Sequence, residues 1–152
     1  MTTNKKALTI NEILLVVTII TILAVIAVPK LNYAFISKQK ADTLAKKIVT
    51  DLRRARALAI SNAATNTAGF AVNMNGSAPY SDYDIVNLDT SSNVDSHTID
   101  SSVTCNGGSV FQFGPLGNLL AGSDTQLTVS ANGKTVTINI ISATGTVKCT
   151  EN

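Results

Sequence analysis

The sequence predicts an α+β protein in which one long N-terminal helix packs on an antiparallel β-sheet head. Three observations lead to this fold class. Residues 8–28 form an almost unbroken apolar run, residues 30–64 lack Gly and Pro and are rich in helix formers, and the remainder is rich in Thr, Ser, Asn, Gly and Val. At 152 residues, the chain has room for one ordinary domain beside the apolar run.

The apolar run from Leu8 to Val28 has the length expected of a membrane-spanning helix. Its 21 residues would extend roughly 32 Å as an α-helix, close to the hydrocarbon thickness of a bilayer. Lys5 and Lys6 precede the run and favour a cytoplasmic N-terminus. Glu12 is the only charged residue in the run, and a carboxylate near lipid is costly unless it has a partner or lies near the interface.

Two cleavage sites fit this N-terminus. An ordinary secretory signal would be cut after its apolar run, where residues 25–27 are small enough, but Pro29 follows closely and the run is long for a signal. The more specific alternative is cleavage before the run, between Ala7 and Leu8.

Beyond Pro29 we expect the helix to resume and continue to about residue 64. Pro29 lacks an amide hydrogen and should kink or loosen the helix. One apolar face recurs at helical spacing and consists of Leu44, Ile48, Leu52, Ala55 and Ala59. For the Lys and Arg residues of the same helix, the sequence favours a solvent-exposed face over a nucleic-acid-binding site.

Charge is distributed unevenly along the chain. Residues 30–56 carry eight Lys or Arg and two Asp, whereas residues 57–152 carry two Lys and seven acids. A basic stem beside an acidic head favours head-to-stem contacts between copies, or contact with anionic lipid.

The C-terminal part predicts an antiparallel sheet of short strands. The candidate strands, separated by turn signals, are 67–74, 83–88, 109–113, 125–130, 134–140 and 146–149. Asn132-Gly133 between two alternating runs is a strong hairpin signal. We expect residues 90–102 to form an exposed loop and the sheet to pack on the amphipathic half of the helix.

The two cysteines, Cys105 and Cys149, are too few and too far apart for a zinc site. If the head lies outside the cytoplasm, they are the right number for one disulfide. Closing a loop of about 45 residues would stabilise the fold by roughly 4 kcal/mol. The alternative is two buried free thiols.

The sequence predicts neither an enzyme nor a cofactor. His97 is the only histidine, and it lies with Asp95 in a stretch rich in Ser and Asp that supplies triad-like residues by chance. Asp82, Asp84 and Asp89 surround a candidate strand and form the one candidate Ca²⁺ site. Their spacing matches no rigid calcium loop, so a solvated acidic edge fits better and we predict no metal site.

The N-terminal residues also carry a family resemblance. The chain begins with a basic leader, which is followed by Ala7-Leu8-Thr9-Ile10-Asn11-Glu12, then by an aliphatic run and then by Pro29. This order resembles the type III signal of type IV pilins and type II secretion pseudopilins. With Leu8 counted as the first mature residue, Glu12 is fifth and Pro29 twenty-second, as in that family. Ala7 and Leu8 stand where the family usually has Gly and an aromatic residue.

This resemblance implies processing, a location and a set of partners. A prepilin peptidase would cut between Ala7 and Leu8, and the new terminus of Leu8 would be methylated. The chain would cross the bacterial inner membrane once, with its N-terminus cytoplasmic and its head periplasmic or extracellular. Its partners would be membrane lipid before assembly, the inner-membrane assembly platform, and other pilins or pseudopilins of the same filament.

Three further stretches are similar to the GspH/FimT group of minor pilins. They are residues 51–62, residues 111–117 (FQFGPLG) and residues 140–145 (IISATG). The implied fold is type IV pilin-like, and the implied place is at or near the tip of a pilus or pseudopilus. Some FimT-like members bind DNA around a Gly-Arg motif, but here Gly145 precedes Thr146 and Gly117 precedes Asn118, so nucleic acid is not an expected partner.

The sequence leaves two classes of function open, a structural filament subunit (minor, or alternatively major) and a binding module whose head recognises DNA, exported protein or a surface. The predicted segments are a cleaved leader at 1–7, a membrane and assembly helix at 8–29, its amphipathic continuation at 30–64 and a β-rich head at 65–152.

Glu12 and Pro29 are the predicted assembly residues. Glu12 would pair with the Leu8 amine of a neighbouring subunit, which relieves the cost of burying the carboxylate and fixes the axial stagger of the helices. The alternative is that Glu12 only caps the first turn of its helix, where the helix dipole favours an acid.

Overall fold

The computed structural model describes residues 9–27 and 33–151. The described residues form, in chain order, α1 (Ile10–Ala27), α2 (Tyr33–Ser61), β1 (Phe70–Asn75), β2 (Asp82–Asn87), β3 (Ser92–Thr98), β4 (Thr104–Gly107), β5 (Val110–Phe113), β6 (Gln126–Ala131), β7 (Lys134–Ile141) and β8 (Thr146–Glu151). They divide into two compact units, the first ending at Tyr33 and the second beginning at Ala34. The first unit contains α1, and the second contains the strands and the rest of α2.

The helix α1 is 18 residues long and consists mainly of aliphatic residues. Two of its polar side chains make their hydrogen bonds within the helix. The Thr18 hydroxyl donates to the Leu14 carbonyl at 2.6 Å, and the Thr21 hydroxyl donates to the Val17 carbonyl at 2.7 Å. Across residues 9–27 and 33–151, no helix combines the length and the apolar character needed to cross a membrane.

The predicted long N-terminal helix over residues 8–64, apolar in its first half, is wrong. The described chain has α1 and α2 instead, and α2 ends at Ser61. The prediction extended helical periodicity through Pro29, although proline removes a hydrogen bond from a helix interior. Pro29 itself lies outside the described residues.

The helix α2 buries one face against the sheets of the second unit. Ile48, Leu52, Ala55 and Ala59 are fully buried, as their helical spacing predicts, whereas Leu44 is only partly buried. The face contains several alanines, which present little side-chain bulk toward the strands. The helix ends where the Asn62 side-chain amide donates to the carbonyl of the preceding turn at 2.9 Å.

The strands form two four-stranded antiparallel sheets, with the orders β3-β2-β1-β5 and β4-β6-β7-β8. The single sheet predicted for the head is therefore wrong, although the antiparallel pairing is confirmed. The chain passes between the two sheets at Gly107, which has φ +117°, and Gly108. A Cβ atom on Gly108 would lie 2.3 Å from the Asp124 side chain, so this tight crossing requires glycine and places β4 and β5 in different sheets.

The sequence located six strands and missed two. The predicted exposed loop at residues 90–102 contains β3, and β4 was not predicted. The Asn132-Gly133 hairpin is confirmed, because both residues have positive φ angles (50° and 81°) and join the paired ends of β6 and β7. Large side chains from both sheets meet α2 in one core, and those fully buried include Tyr83, Phe111, Phe113, Leu127 and Ile138.

Candidate functional site

The first candidate site is the surface of α1, which is apolar on every side. Each of its large aliphatic side chains from Ile10 to Val25 is at least 47% exposed. A helix that is apolar all round is normally covered by other helices or by lipid, so this exposed surface is a candidate for contact with another molecule.

Glu12 is the charged residue of this surface, and it lies in the first turn of α1. The Thr9 amide donates to Oε2 of Glu12 at 3.4 Å, and the Glu12 amide donates to the Thr9 hydroxyl at 3.4 Å. These reciprocal contacts form a capping box, the arrangement expected if Glu12 caps the helix. Both distances are long for hydrogen bonds, and the exposed carboxylate keeps acceptor sites for a second, cationic partner.

Three of the residues predicted to act in processing and assembly cannot be compared with the structure. Ala7, Leu8 and Pro29 lie outside the described residues. Cleavage before Leu8, methylation of its amine and a kink at Pro29 therefore stay predictions.

The predicted Cys105–Cys149 disulfide does not form in this fold, and both thiols are free. Cys105 lies on β4 and Cys149 on β8, the two outer strands of the second sheet. Three strand spacings separate them by about 14 Å, whereas a disulfide needs Cα atoms within about 7 Å. Burial raises the pKa of the Cys105 thiol to about 12, and partial burial also raises the pKa of the exposed Cys149.

A buried polar cluster joins α2 to the first sheet. The Tyr83 hydroxyl donates to Oδ2 of Asp51 at 2.7 Å, and Nε2 of His97 lies 3.4 Å from the same oxygen. The rings of His97 and Tyr83 are 5.2 Å apart between centroids. This cluster was not predicted from the sequence, although the sequence contains a signal for it. Asp51 lies three residues after Ile48 and four before Ala55, so it occupies the apolar face of α2.

Arg54 extends the same cluster toward solvent. Its guanidinium donates to Oδ2 of Asp95 at 2.6 Å, and that oxygen lies 3.5 Å from Nε2 of His97. The Arg54 guanidinium, with a smaller contribution from His97, lowers the pKa of Asp95. Burial first, and then the hydrogen bond to Asp51, raise the pKa of Tyr83 well above its usual value. The cluster is an interlocked set of ion pairs and hydrogen bonds that orients α2 on the sheet.

In the predicted acidic edge, neighbouring polar side chains donate hydrogen bonds to the carboxylates of Asp82 and Asp84. The Asn75 side-chain amide donates to both Asp82 and Asp84, and the Ser96 hydroxyl donates to Asp84. These bonds, from Ser96 first, lower the pKa of Asp84. Asp89 follows β2 and takes no part in them. Within residues 9–27 and 33–151, no group of three or more His, Cys, Asp or Glu side chains is arranged to hold a metal ion.

The three stretches that carried the resemblance to minor pilins meet at the end of α2. Arg56 of the first stretch donates through Nε to the carbonyl of Gly117, the end of the second, at 3.0 Å. Gly145, the end of the third, has φ +61°, and a Cβ atom there would lie 1.9 Å from the same carbonyl oxygen. Arg53 likewise donates to the Val147 carbonyl at 3.3 Å. These arginines are engaged with backbone groups of their own chain, which does not favour a DNA-binding function.

Comparisons of the chain with protein-family models, with curated proteins and with solved structures found no match. The resemblance to pilins therefore rests on the sequence motifs alone.

Proposed function

We propose that this chain is a structural minor subunit of a type IV pilus or of a type II secretion pseudopilus. In this proposal the segment that begins at Leu8 inserts into the bacterial inner membrane. The subunit then enters a helical filament or its tip complex. The observation that supports the proposal most is the all-round apolar surface of α1, with one carboxylate in its first turn. The register of Ala7, Leu8, Glu12 and Pro29 in the sequence supports it independently.

The proposed assembly step depends on the Glu12 carboxylate. Cleavage before Leu8 would create an amine four residues before Glu12, near the cytoplasmic edge of the membrane. As apolar helices of adjacent subunits pack, the amine of one would pair with Glu12 of the next, and only one axial stagger satisfies both charges. The long contacts between Glu12 and Thr9 support this, since they leave the carboxylate able to accept a stronger partner.

The test compares variants at the two residues of the same capping box. Glu12→Ala and Glu12→Gln remove the negative charge, so both should remain in the inner membrane but enter filaments or tip complexes poorly. Thr9→Ala removes the capping hydroxyl and keeps the charge, so it should assemble nearly as well as the wild type. Membrane fractionation and pull-down with the other filament subunits measure both effects.

Two results would count against the proposal. Equal assembly defects in the Thr9 and Glu12 variants would show that Glu12 only caps its helix. Wild-type assembly of both Glu12 variants would show that another feature sets the register. Mass spectrometry of the N-terminal peptide adds an independent check, because assembled chains should begin at methylated Leu8.

A further inference from the structure

Three of the four outer strands of the two sheets are closed to further pairing. On β5, the Leu120 amide donates to the Gln112 carbonyl at 2.9 Å and the Asp124 amide donates to the Val110 carbonyl at 2.8 Å. On β4, the Tyr80 amide donates to the Cys105 carbonyl at 2.9 Å. Both edges are therefore covered by segments of the same chain, which is one way that sheets avoid edge-to-edge pairing.

The third outer strand, β3, is closed by its own side chains. The Asp95 amide donates to the Asn93 side chain at 3.1 Å, and the Ser96 amide donates to the Asp95 side chain at 3.0 Å. The register between β2 and β3 also shifts at a bulge. Bulges and inward-pointing charged residues such as Asp95 are known protections of sheet edges.

The outer edge of β8 differs, because most of its outward backbone groups have no hydrogen-bond partner within the described residues. In an antiparallel strand, the N–H and C=O of one residue point the same way, and successive residues alternate. The carbonyl of Val147 points away from β7, since it accepts a bond from Arg53 at 3.3 Å. Its partner Ile140 directs its amide to the opposite side of β7, which agrees with this assignment. By alternation, Cys149 and Glu151 also direct their N–H and C=O groups outward.

Within the described residues, the long contact from Arg53 is the one hydrogen bond made to these outward groups. Cys149 and its neighbours at the end of β8 are exposed. Backbone N–H and C=O groups are strong hydrogen-bonding groups, and a row of unpaired ones is a template for another strand.

We propose that β8 is an interaction surface on which a second copy of this chain pairs its own β8, antiparallel and in a two-fold register centred on Cys149. The surface belongs entirely to the second unit and does not depend on the proposed function in a filament. Pairing would join two second sheets into one continuous sheet through an isologous contact.

The charges around β8 select the second copy and the register. With Cys149 opposite itself, Val147 lies opposite Glu151 of the second copy. Arg53 contacts the carbonyl of Val147, so each Glu151 carboxylate comes beside the Arg53 of the other copy. The two-fold symmetry therefore forms this ion pair twice. In its own chain Glu151 lies 3.5 Å from the Lys134 ammonium, a loose contact for an ion pair. A register centred one residue earlier would instead place Lys148 opposite itself, which is unfavourable.

This register also gives hydrogen-bond partners to the outward backbone groups of β8. Val147 and Cys149 would each exchange bonds with an outward-facing residue of the second copy. A carbonyl oxygen has two lone pairs, so Val147 can accept the amide of the second Glu151 and keep Arg53.

The experiment uses disulfide trapping in the full chain, dissolved in detergent micelles. Copper-catalysed air oxidation forms a disulfide from two thiols, whose hydrogens and electrons reduce dioxygen to water. In the proposed register the two Cys149 Cα atoms lie about 5.5 Å apart, within disulfide range. We expect a Cys149–Cys149 crosslinked dimer, identified by peptide mass mapping. Its yield should exceed, by roughly tenfold, that from a Cys149→Ser, Thr150→Cys variant, whose cysteines would lie about 8 Å apart.

A charge exchange tests the partner surface directly. Arg53→Glu should lower the Cys149 crosslink roughly fivefold, the scale of an exposed charge pair, and adding Glu151→Arg should restore it.

Equal crosslinking of the Cys149 and Thr150→Cys proteins would overturn the register, since chance collision in a micelle does not distinguish them. Absence of a Cys149 dimer at every protein concentration would overturn the self-pairing.

Discussion

The Tyr83 hydroxyl donates a hydrogen bond to Oδ2 of Asp51 across 2.7 Å, and both side chains are buried. The bond joins the middle of α2 to β2, a central strand of the first sheet. A buried carboxylate is destabilising unless its oxygens are hydrogen-bonded or paired with a positive charge. Tyr83 and His97 supply these contacts, so the position of α2 on the sheet depends on them.

We predict that Tyr83→Phe destabilises the fold by about 1.5–3 kcal/mol, because it leaves a buried carboxylate without its hydroxyl donor. The matched control is Tyr80→Phe, which removes a tyrosine hydroxyl bonded to a neutral carbonyl, that of Gly107, at 2.8 Å. This control should cost about 0.5–1.5 kcal/mol. Urea unfolding followed by circular dichroism gives both values. Equal losses would show that the charge on Asp51 contributes nothing to the bond.

The same bond predicts a loss of stability in alkali. Burial and Asp51 raise the pKa of Tyr83 in the folded protein. The tyrosine of the unfolded chain therefore loses its proton first, so the stability contributed by Tyr83 is retained below about pH 10 and falls as the pH rises further. Tyr83→Phe should flatten this part of the stability profile. Cys105, whose pKa is also raised, contributes in the same direction, and Cys105→Ala separates its share. A profile unchanged by Tyr83→Phe would contradict the assignment.

Local patterns in the sequence predicted local structure well. The apolar spacing from Ile48 to Ala59 gave the buried face of α2, and Asn132-Gly133 gave the hairpin between β6 and β7. Both are set by residues close in the chain, either by helical periodicity or by the positive φ angles that Asn and Gly tolerate.

Features that depend on distant residues were not predicted. The strand β3, with the sequence SNVDSHT, has a low intrinsic preference for strand and forms because β2 offers a partner edge. The division into two sheets arises where Gly108 passes close to Asp124, sixteen residues away. The contacts of Asp51 with Tyr83 and His97 likewise require knowledge of which strand faces α2.

We predict that the two thiols of the folded, reduced protein differ in reactivity. Cys149 is exposed, so N-ethylmaleimide should label it in the native state, more slowly than an ordinary cysteine because its pKa is raised, whereas Cys105 is fully buried and should react only after unfolding. Thiol counting should give one accessible thiol in dilute native protein and two in denaturant. A protein with no accessible thiol until a reductant is added would contain a disulfide and contradict the fold.

The last prediction concerns the junction of Gly117 and Gly145 at the end of α2. Gly145→Ala places a Cβ atom 1.9 Å from the Gly117 carbonyl oxygen, at a φ of +61° that alanine adopts poorly. The backbone must shift, and the bond from Arg56 to that carbonyl should be lost with it. We expect a loss of more than about 3 kcal/mol, above the 1–2 kcal/mol that a left-handed conformation costs by itself.

Gly122→Ala is the matched control for this junction. Gly122 also has a positive φ, +86°, but a Cβ atom there would meet nothing within 4 Å. Its loss should therefore be close to the conformational cost alone, about 1–2 kcal/mol. Urea midpoints of the two variants, at unchanged slope, give the difference directly. If Gly145→Ala were no more destabilising than Gly122→Ala, the close approach of Gly145 to Gly117 would not contribute to the stability of the fold.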